Sequence, residues 1–106
     1  MVRGLLRAQE VAIRDEIAYI GVMIQGLLKH RLSAHWPGVD FDVLVPSDQK
    51  IGDYSTNLAF ALGKRDTKNP ADTAEEIIKF AQSDSILSPL LHRIGFAPPG
   101  FVNFFL

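Results

Sequence analysis

The residue pattern with the clearest chemistry lies in the last six residues of the chain, FVNFFL. Side chains alternate between the two faces of a strand, so Phe101, Asn103 and Phe105 share one face. Aromatic rings stack on unpaired nucleobases, and an amide can donate to and accept from a base edge. Residues 85–106 contain Arg93 and no acidic residue, so this region does not repel phosphate. One hypothesis is therefore an RNA-binding face formed by Phe101, Asn103, Phe105 and Arg93.

The same alternation also permits a purely structural interpretation. Val102, Phe104 and Leu106 form a uniformly apolar opposite face, which we predict to lie in the core. A sheet covered on both sides would also bury aromatic residues on both faces, with Asn103 at an edge. The pattern alone leaves both interpretations open.

Three further patterns do not support catalysis. The pair Gly63-Lys64 suggests a phosphate loop, but that motif needs Gly at position 58, where Leu stands, and Ser or Thr at position 65, where Arg stands. The three histidines, at positions 30, 35 and 92, lack the spacing of metal ligands. Ser33 and His35 are close in sequence, but no nucleophile elbow surrounds them. We predict neither a catalytic nor a metal site.

The composition describes an ordinary globular domain. The 106 residues are 47% apolar and 22% charged, which fits one domain over residues 1–106. The chain has no cysteine, which excludes disulfides and thiolate metal sites, and no apolar run of ~18 residues that would span a membrane. Eleven basic and twelve acidic residues give a net charge of −1. Any RNA binding must therefore come from a local surface rather than from overall charge.

Hydrophobic periodicity predicts six elements. An apolar stripe at helical spacing predicts a long helix over 3–31. Alternation of apolar and polar residues predicts a strand over 41–45 whose buried face consists of Phe41, Val43 and Val45. The order helix-strand-helix-helix-strand-strand indicates an α+β domain of two layers, in which helices pack on one face of an antiparallel sheet of three to four strands. The remaining predicted elements are helices over 53–62 and 69–81 and strands over 90–97 and 101–106.

Local signals suggest how these elements begin and end. Asp53 is predicted to cap the second helix, with Gly63 at its C-terminal end. Asn69 is the predicted N-cap of the third helix, with Pro70 in its first turn. Before the last strand, Pro98-Pro99-Gly100 predicts a type II turn in which Gly100 has a positive φ.

Three segments together resemble the N-terminal domain of arginyl-tRNA synthetases. Residues 52–64 (GDYSTNLAFALGK) contain a Gly-Asp-Tyr-x-x-Asn signature, the helix that opens at Asn69-Pro70 follows it, and residues 98–106 (PPGFVNFFL) are similar to the closing Gly-Pro-Gly-Phe-Ile-Asn-Phe of that domain. The order and spacing of the three segments also agree. The first fifty residues fit the pattern but carry no signature.

This resemblance implies a two-layer α+β appendage that precedes a class I catalytic domain and touches the D-loop at the elbow of tRNA. In bacterial-type members of that family, an aromatic residue and an Asn two positions later contact an unpaired D-loop nucleotide. The resemblance places these two roles on Phe101 and Asn103, and Phe105 would lie on the same face. The signature residues are expected to be structural: Gly52, Asp53, Tyr54 and Asn57.

The resemblance also implies that this chain is the N-terminal part of a longer arginine–tRNA ligase and performs no catalysis itself. Its expected partners are tRNA specific for arginine and the catalytic domain of the same enzyme, without membrane or DNA. ATP and magnesium would serve the full-length enzyme, with no cofactor in this domain, and the location would be cytoplasmic. The alternative is a structural or protein-interaction domain that uses the long helix over 3–31.

Overall fold

The computed structural model describes residues 20–106. This part of the chain forms three helices and a four-stranded antiparallel sheet, which confirms the α+β class. The described part of the first helix, α1, covers residues 20–35. The other elements are β1 (Val43–Leu44), β2 (Tyr54–Thr56), α2 (Leu58–Asp66), α3 (Pro70–Ser83), a 3₁₀ turn (Ser88–Leu90), β3 (Arg93–Ala97) and β4 (Phe101–Phe105).

The strands follow the order β1-β2-β4-β3, so β4 lies between two partners. In register, Asn103 on β4 faces Ser55 on β2 and Gly95 on β3. Because directly opposed residues of neighbouring strands share a face, the Ser55 and Asn103 side chains project from the same face of the sheet, where Gly95 adds no side chain. The last strand is therefore held on both edges along most of its length.

The core lies on the opposite face of the sheet, under the helices. Val102 and Phe104 of β4 are fully buried there, as predicted, whereas Leu106 is 45% exposed because β4 ends at Phe105. The helices contribute five large buried side chains to this core, which are Leu28, Leu32, Leu58, Leu62 and Ile77. Phe41 and Leu87, which lie outside the helices and strands, are also buried.

Helix α1 extends four residues beyond its predicted end, to residue 35, and the chain turns at Gly38, where φ is +79°. Leu28 is buried, but Ile20, predicted on the same stripe, is 51% exposed. Residues 3–19 of the predicted helix lie outside the described residues. Within the described residues, no helix is long and apolar enough to cross a membrane.

The segment after α1 differs from its prediction in two places. The strand predicted over 41–45 is limited to Val43–Leu44, and Val45 is exposed because the chain leaves the sheet before Pro46, which has no N–H for the ladder. The helix predicted from 53 begins at Leu58, since Tyr54–Thr56 pairs with β4 as strand β2.

The caps of α2 are also different. Asp53 lies before β2 and caps no helix; its carboxylate accepts a hydrogen bond from the Leu106 N–H at 2.8 Å. Gly63 lies inside α2, which ends at Asp66 with Thr67 in the left-handed region. At α3 the prediction is confirmed, because the Asn69 side chain accepts from the Ala71 N–H at 3.0 Å and Pro70 opens the helix.

The turn between β3 and β4 requires glycine for a reason other than the predicted one. Gly100 does not have a positive φ, and the Pro98–Pro99 peptide bond is cis. Instead, Gly100 packs directly on α2: a Cβ at this position would lie 2.6 Å from Cβ of Phe60. The Phe60 N–H also donates to the Gly100 carbonyl at 3.2 Å.

Candidate RNA-binding face

The four predicted site residues lie on one face of the sheet, the face away from the helices. Phe101, Asn103 and Phe105 project from β4, and Arg93 is the cross-strand partner of Phe105 on β3. The Arg93 guanidinium lies over the Phe105 ring, 4.0 Å from its centroid. This contact orients a positive charge on the face and leaves Arg93 itself exposed.

This face is neither fully open to solvent nor fully buried, so it matches neither of the two interpretations from the sequence completely. Phe101 is 37% exposed, so its ring is available for stacking. Asn103 is 8% exposed, because the segment that follows β1 folds over its side of the sheet. Among residues 20–106, this face is thus partly covered by a loop and by no helix.

A groove of about 310 Å³ lies between that loop and the sheet. Its loop side is formed by residues 44–47 and Ile51, and its floor by Ser55, Ala97 and Asn103, with Phe101 at the rim. The lining is mainly apolar, and the side chains of Ser55 and Asn103 supply polar groups at its base. Such a groove suits a flat ring with one polar edge.

The orientation of the Asn103 amide is set by the neighbouring strand. The Ser55 hydroxyl donates to Oδ1 of Asn103 at 2.8 Å. No described residue accepts a hydrogen bond from Nδ2, and no buried side-chain N or O atom in the described part of the chain lacks a partner. The amide nitrogen is therefore not completely buried, and its N–H groups can donate into the groove.

The loop approaches Asn103 closely because Gly52 has no side chain. At this residue φ is +149°, a conformation that favours glycine, and a Cβ would lie 3.3 Å from Cβ of Asn103 and 3.2 Å from the Phe104 carbonyl oxygen. Gly52 is the first residue of the Gly-Asp-Tyr signature. The structure places it against the candidate site.

The other signature residues join the sheet to its surroundings. Besides its bond to Leu106, Asp53 donates its backbone N–H to the Phe104 carbonyl at 2.9 Å. The Tyr54 hydroxyl donates to the Gly21 carbonyl of α1 at 2.8 Å, and burial, with a smaller effect of the Asp53 carboxylate, raises the pKa of Tyr54. Asn57 accepts from the Asp42 N–H at 2.8 Å.

The remaining candidates from the sequence do not form a site. Gly63 and Lys64 lie within helix α2 and not in a loop. His35, the last residue of α1, stacks on Phe80 with ring centroids 4.2 Å apart, far along the helix from the Tyr54 contact at Gly21. In the part of the chain that the structure describes, no three His, Cys, Asp or Glu side chains cluster as metal ligands.

Two features of the site have no signal in the sequence. Ser55 belongs to a segment that reads as the start of a helix, so nothing local identifies it as the partner of Asn103. The groove depends on where the loop over 45–52 lies, and this is decided by tertiary packing.

The sequence comparisons agree with the fold. The family model of the arginyl tRNA synthetase N-terminal domain matches residues 12–106. The chain therefore belongs to the family of arginyl-tRNA synthetase N-terminal domains.

Several curated relatives are similar to this chain over more than half of its length. An arginine–tRNA ligase of Thermotoga maritima is 41% identical over 73 residues, which are 69% of this chain and 13% of that protein. An arginine–tRNA ligase of Chlorobium phaeobacteroides is 37% identical over 82 residues, 76% of this chain and 14% of that protein. One from Listeria welshimeri is 42% identical over 62 residues, 58% of this chain and 11% of that protein. The chain thus matches a small fraction of the length of these relatives.

Proposed function

We propose that this chain is the tRNA-binding N-terminal domain of an arginine–tRNA ligase. It contacts a D-loop nucleotide at the tRNA elbow and positions the tRNA for arginylation by a catalytic domain outside this chain. ATP and magnesium serve that catalytic domain, and the enzyme acts in the cytoplasm. Family membership supports the assignment to the ligase. The observation that carries the RNA-binding role is the exposed Phe101 ring beside the Asn103 amide at the groove.

The geometry supports binding of a single unpaired base. The Phe101 ring supplies a stacking surface, the Asn103 Nδ2 group donates to an acceptor on the base edge, and Arg93 supplies a positive charge on the same face. Stacking on an aromatic side chain is worth ~1–3 kcal/mol per base. Binding of the isolated domain is therefore weak, and the catalytic domain contributes the remaining affinity.

The direct test is a titration of the isotope-labelled chain with a D-arm hairpin of arginine-specific tRNA, followed by amide chemical shifts at low and moderate salt. We expect shifts at residues 101–105 and in the loop over 45–52, with binding that weakens as salt rises. Absence of shifts at millimolar RNA would contradict the proposal. In the full-length ligase, Asn103→Ala should slow arginylation while arginine-dependent ATP chemistry stays near the wild-type rate.

A second candidate function is a protein-interaction domain that uses α1. Ile20, Val22 and Met23 are more than half exposed, at 51%, 68% and 55%, on the described part of this helix. Sedimentation at two concentrations discriminates between the candidates. Self-association without RNA binding would favour the interaction domain, and a monomer that binds the hairpin would favour the tRNA-binding domain.

A further inference from the structure

Helix α2 packs against the turn that leads into Phe101. Gly100, which directly precedes Phe101, packs on Phe60 so closely that a Cβ at this position would lie 2.6 Å from Cβ of Phe60. Phe60 is 43% exposed, and Nζ of Lys64 lies 4.9 Å from the centroid of its ring. An exposed aromatic ring and a cation therefore lie just across the turn from Phe101.

Lys64 differs from its basic neighbours in its electrostatic environment. Arg65 is paired with Asp66, with 2.9 Å between Nε and Oδ1, and Lys68 is paired with Glu76 at 3.2 Å. Among the described residues, no carboxylate oxygen lies within 4.0 Å of Nζ of Lys64. Within this basic run, Lys64 is thus the residue whose charge is left for an external anion.

We propose that Lys64 binds a backbone phosphate of the RNA strand whose base stacks on Phe101. The strand then passes from the outer face of the sheet, over the turn at Pro98–Gly100, onto α2. This inference rests on the proposed function. It follows the general design of single-strand binding surfaces, in which aromatic rings receive bases and unpaired cations track the phosphates.

The experiment measures the affinity of the 106-residue chain for the D-arm hairpin at several salt concentrations. Each neutralised phosphate contributes a slope of about −0.7 to −0.9 to the plot of log K against log salt. Lys64→Ala should therefore reduce the slope by nearly one and weaken binding about five- to eightfold at 0.1 M salt. Lys64→Arg keeps the charge and should keep the slope.

Lys79→Ala is the matched control, since it removes the same charge from an exposed lysine of α3 that is paired with Glu75 at 3.4 Å. Its slope should stay close to that of the wild type. Equal slopes for Lys64→Ala and Lys79→Ala would overturn the inference, because net charge alone would then explain the change.

Asn103→Ala in the same series separates this inference from the proposed function. If Asn103→Ala weakens binding and Lys64→Ala leaves the slope unchanged, the phosphate contact is wrong and the base-binding face is retained. If the wild-type chain does not bind the hairpin even at millimolar RNA, both are overturned. A slope that falls with Lys64→Ala, recovers with Lys64→Arg and is unaffected by Lys79→Ala supports the inference.

Discussion

The Ser55 hydroxyl on β2 donates a hydrogen bond of 2.8 Å to the amide oxygen of Asn103 on β4. Both residues are only 8% exposed and line the base of the groove, so competition from water for this bond is small. The bond occupies the acceptor of the amide and leaves its donors to the groove. Strand β2 therefore determines which chemical group the site presents to a ligand.

Ser55→Ala should release the Asn103 amide without removing it. We expect affinity for the D-arm hairpin to fall about two- to tenfold, which corresponds to a net hydrogen bond of ~0.5–1.5 kcal/mol. The measurement is the RNA titration followed through the Asn103 side-chain amide signals. Ser83→Ala, which removes an exposed hydroxyl on α3 that donates to the Phe80 carbonyl, is the control. Unchanged affinity in Ser55→Ala would show that the orientation of the amide is not set by Ser55.

Phe101→Ala and Phe104→Ala should separate binding from stability. Phe101 is 37% exposed, so its truncation should weaken RNA binding by ~1–3 kcal/mol and change the free energy of unfolding little. Phe104 is fully buried, so its truncation should cost ~3–5 kcal/mol of folding stability. Denaturant unfolding and RNA titration of both variants check this. A large loss of stability in Phe101→Ala would indicate that its ring serves the fold.

Gly100→Ala should destabilise the domain by about 1–3 kcal/mol, because the new Cβ would lie 2.6 Å from Cβ of Phe60 and neither backbone can move freely. Gly95→Ala is the matched control on β3, where a Cβ would meet no atom within 4 Å. Denaturant unfolding of both variants provides the comparison. Equal stabilities would mean that α2 and the turn can separate at little cost.

The stability of the domain should depend on pH through Asp84. The guanidinium of Arg31, which hydrogen-bonds this buried carboxylate, lowers the pKa of Asp84, and the Ile86 and Leu87 backbone N–H groups act in the same direction. Because the pKa is depressed in the folded state, the stabilisation is complete above the ordinary Asp pKa and is lost as pH falls through the folded value.

Thermal unfolding from pH 7 to pH 2 tests this linkage. Asp84→Asn should be less stable than the wild type at pH 7 and should show a smaller loss of stability below about pH 4, the ordinary range of an Asp carboxyl. Glu75→Gln removes an exposed carboxylate paired with Lys79 and should retain the acid dependence of the wild type. Parallel acid profiles for Asp84→Asn and the wild type would contradict the assignment.

The parts of the fold that could be predicted are those with local causes. The alternation in β4 correctly separates Val102 and Phe104 from the residues of the outer face, because side-chain direction in a strand follows directly from sequence position. Likewise, Asn69 and Pro70 locate the start of α3, since an N-cap acts within a single turn.

The parts that could not be predicted depend on distant partners. The segment Tyr54–Thr56 becomes a strand because β4 is available to pair with it, although Asp53 directly before it is a typical N-cap residue and predicts a helix there. Gly100 is required by its contact with Phe60, which is remote in sequence. The Ser55–Asn103 hydrogen bond and the groove could not be predicted for the same reason, because both depend on the positions of β2 and the loop over 45–52.

The register of β4 has a consequence for how members of this family can vary in length. Since consecutive side chains of β4 alternate between core and groove, inserting one residue after Gly100 would turn Phe101 and Asn103 inward and place Val102 outside. Such a change would disrupt both the packing of the core and the binding face. Insertions are therefore expected in the loop over 45–52, which pairs with no strand. An insertion there can alter the shape of the groove while the register of β4 stays the same.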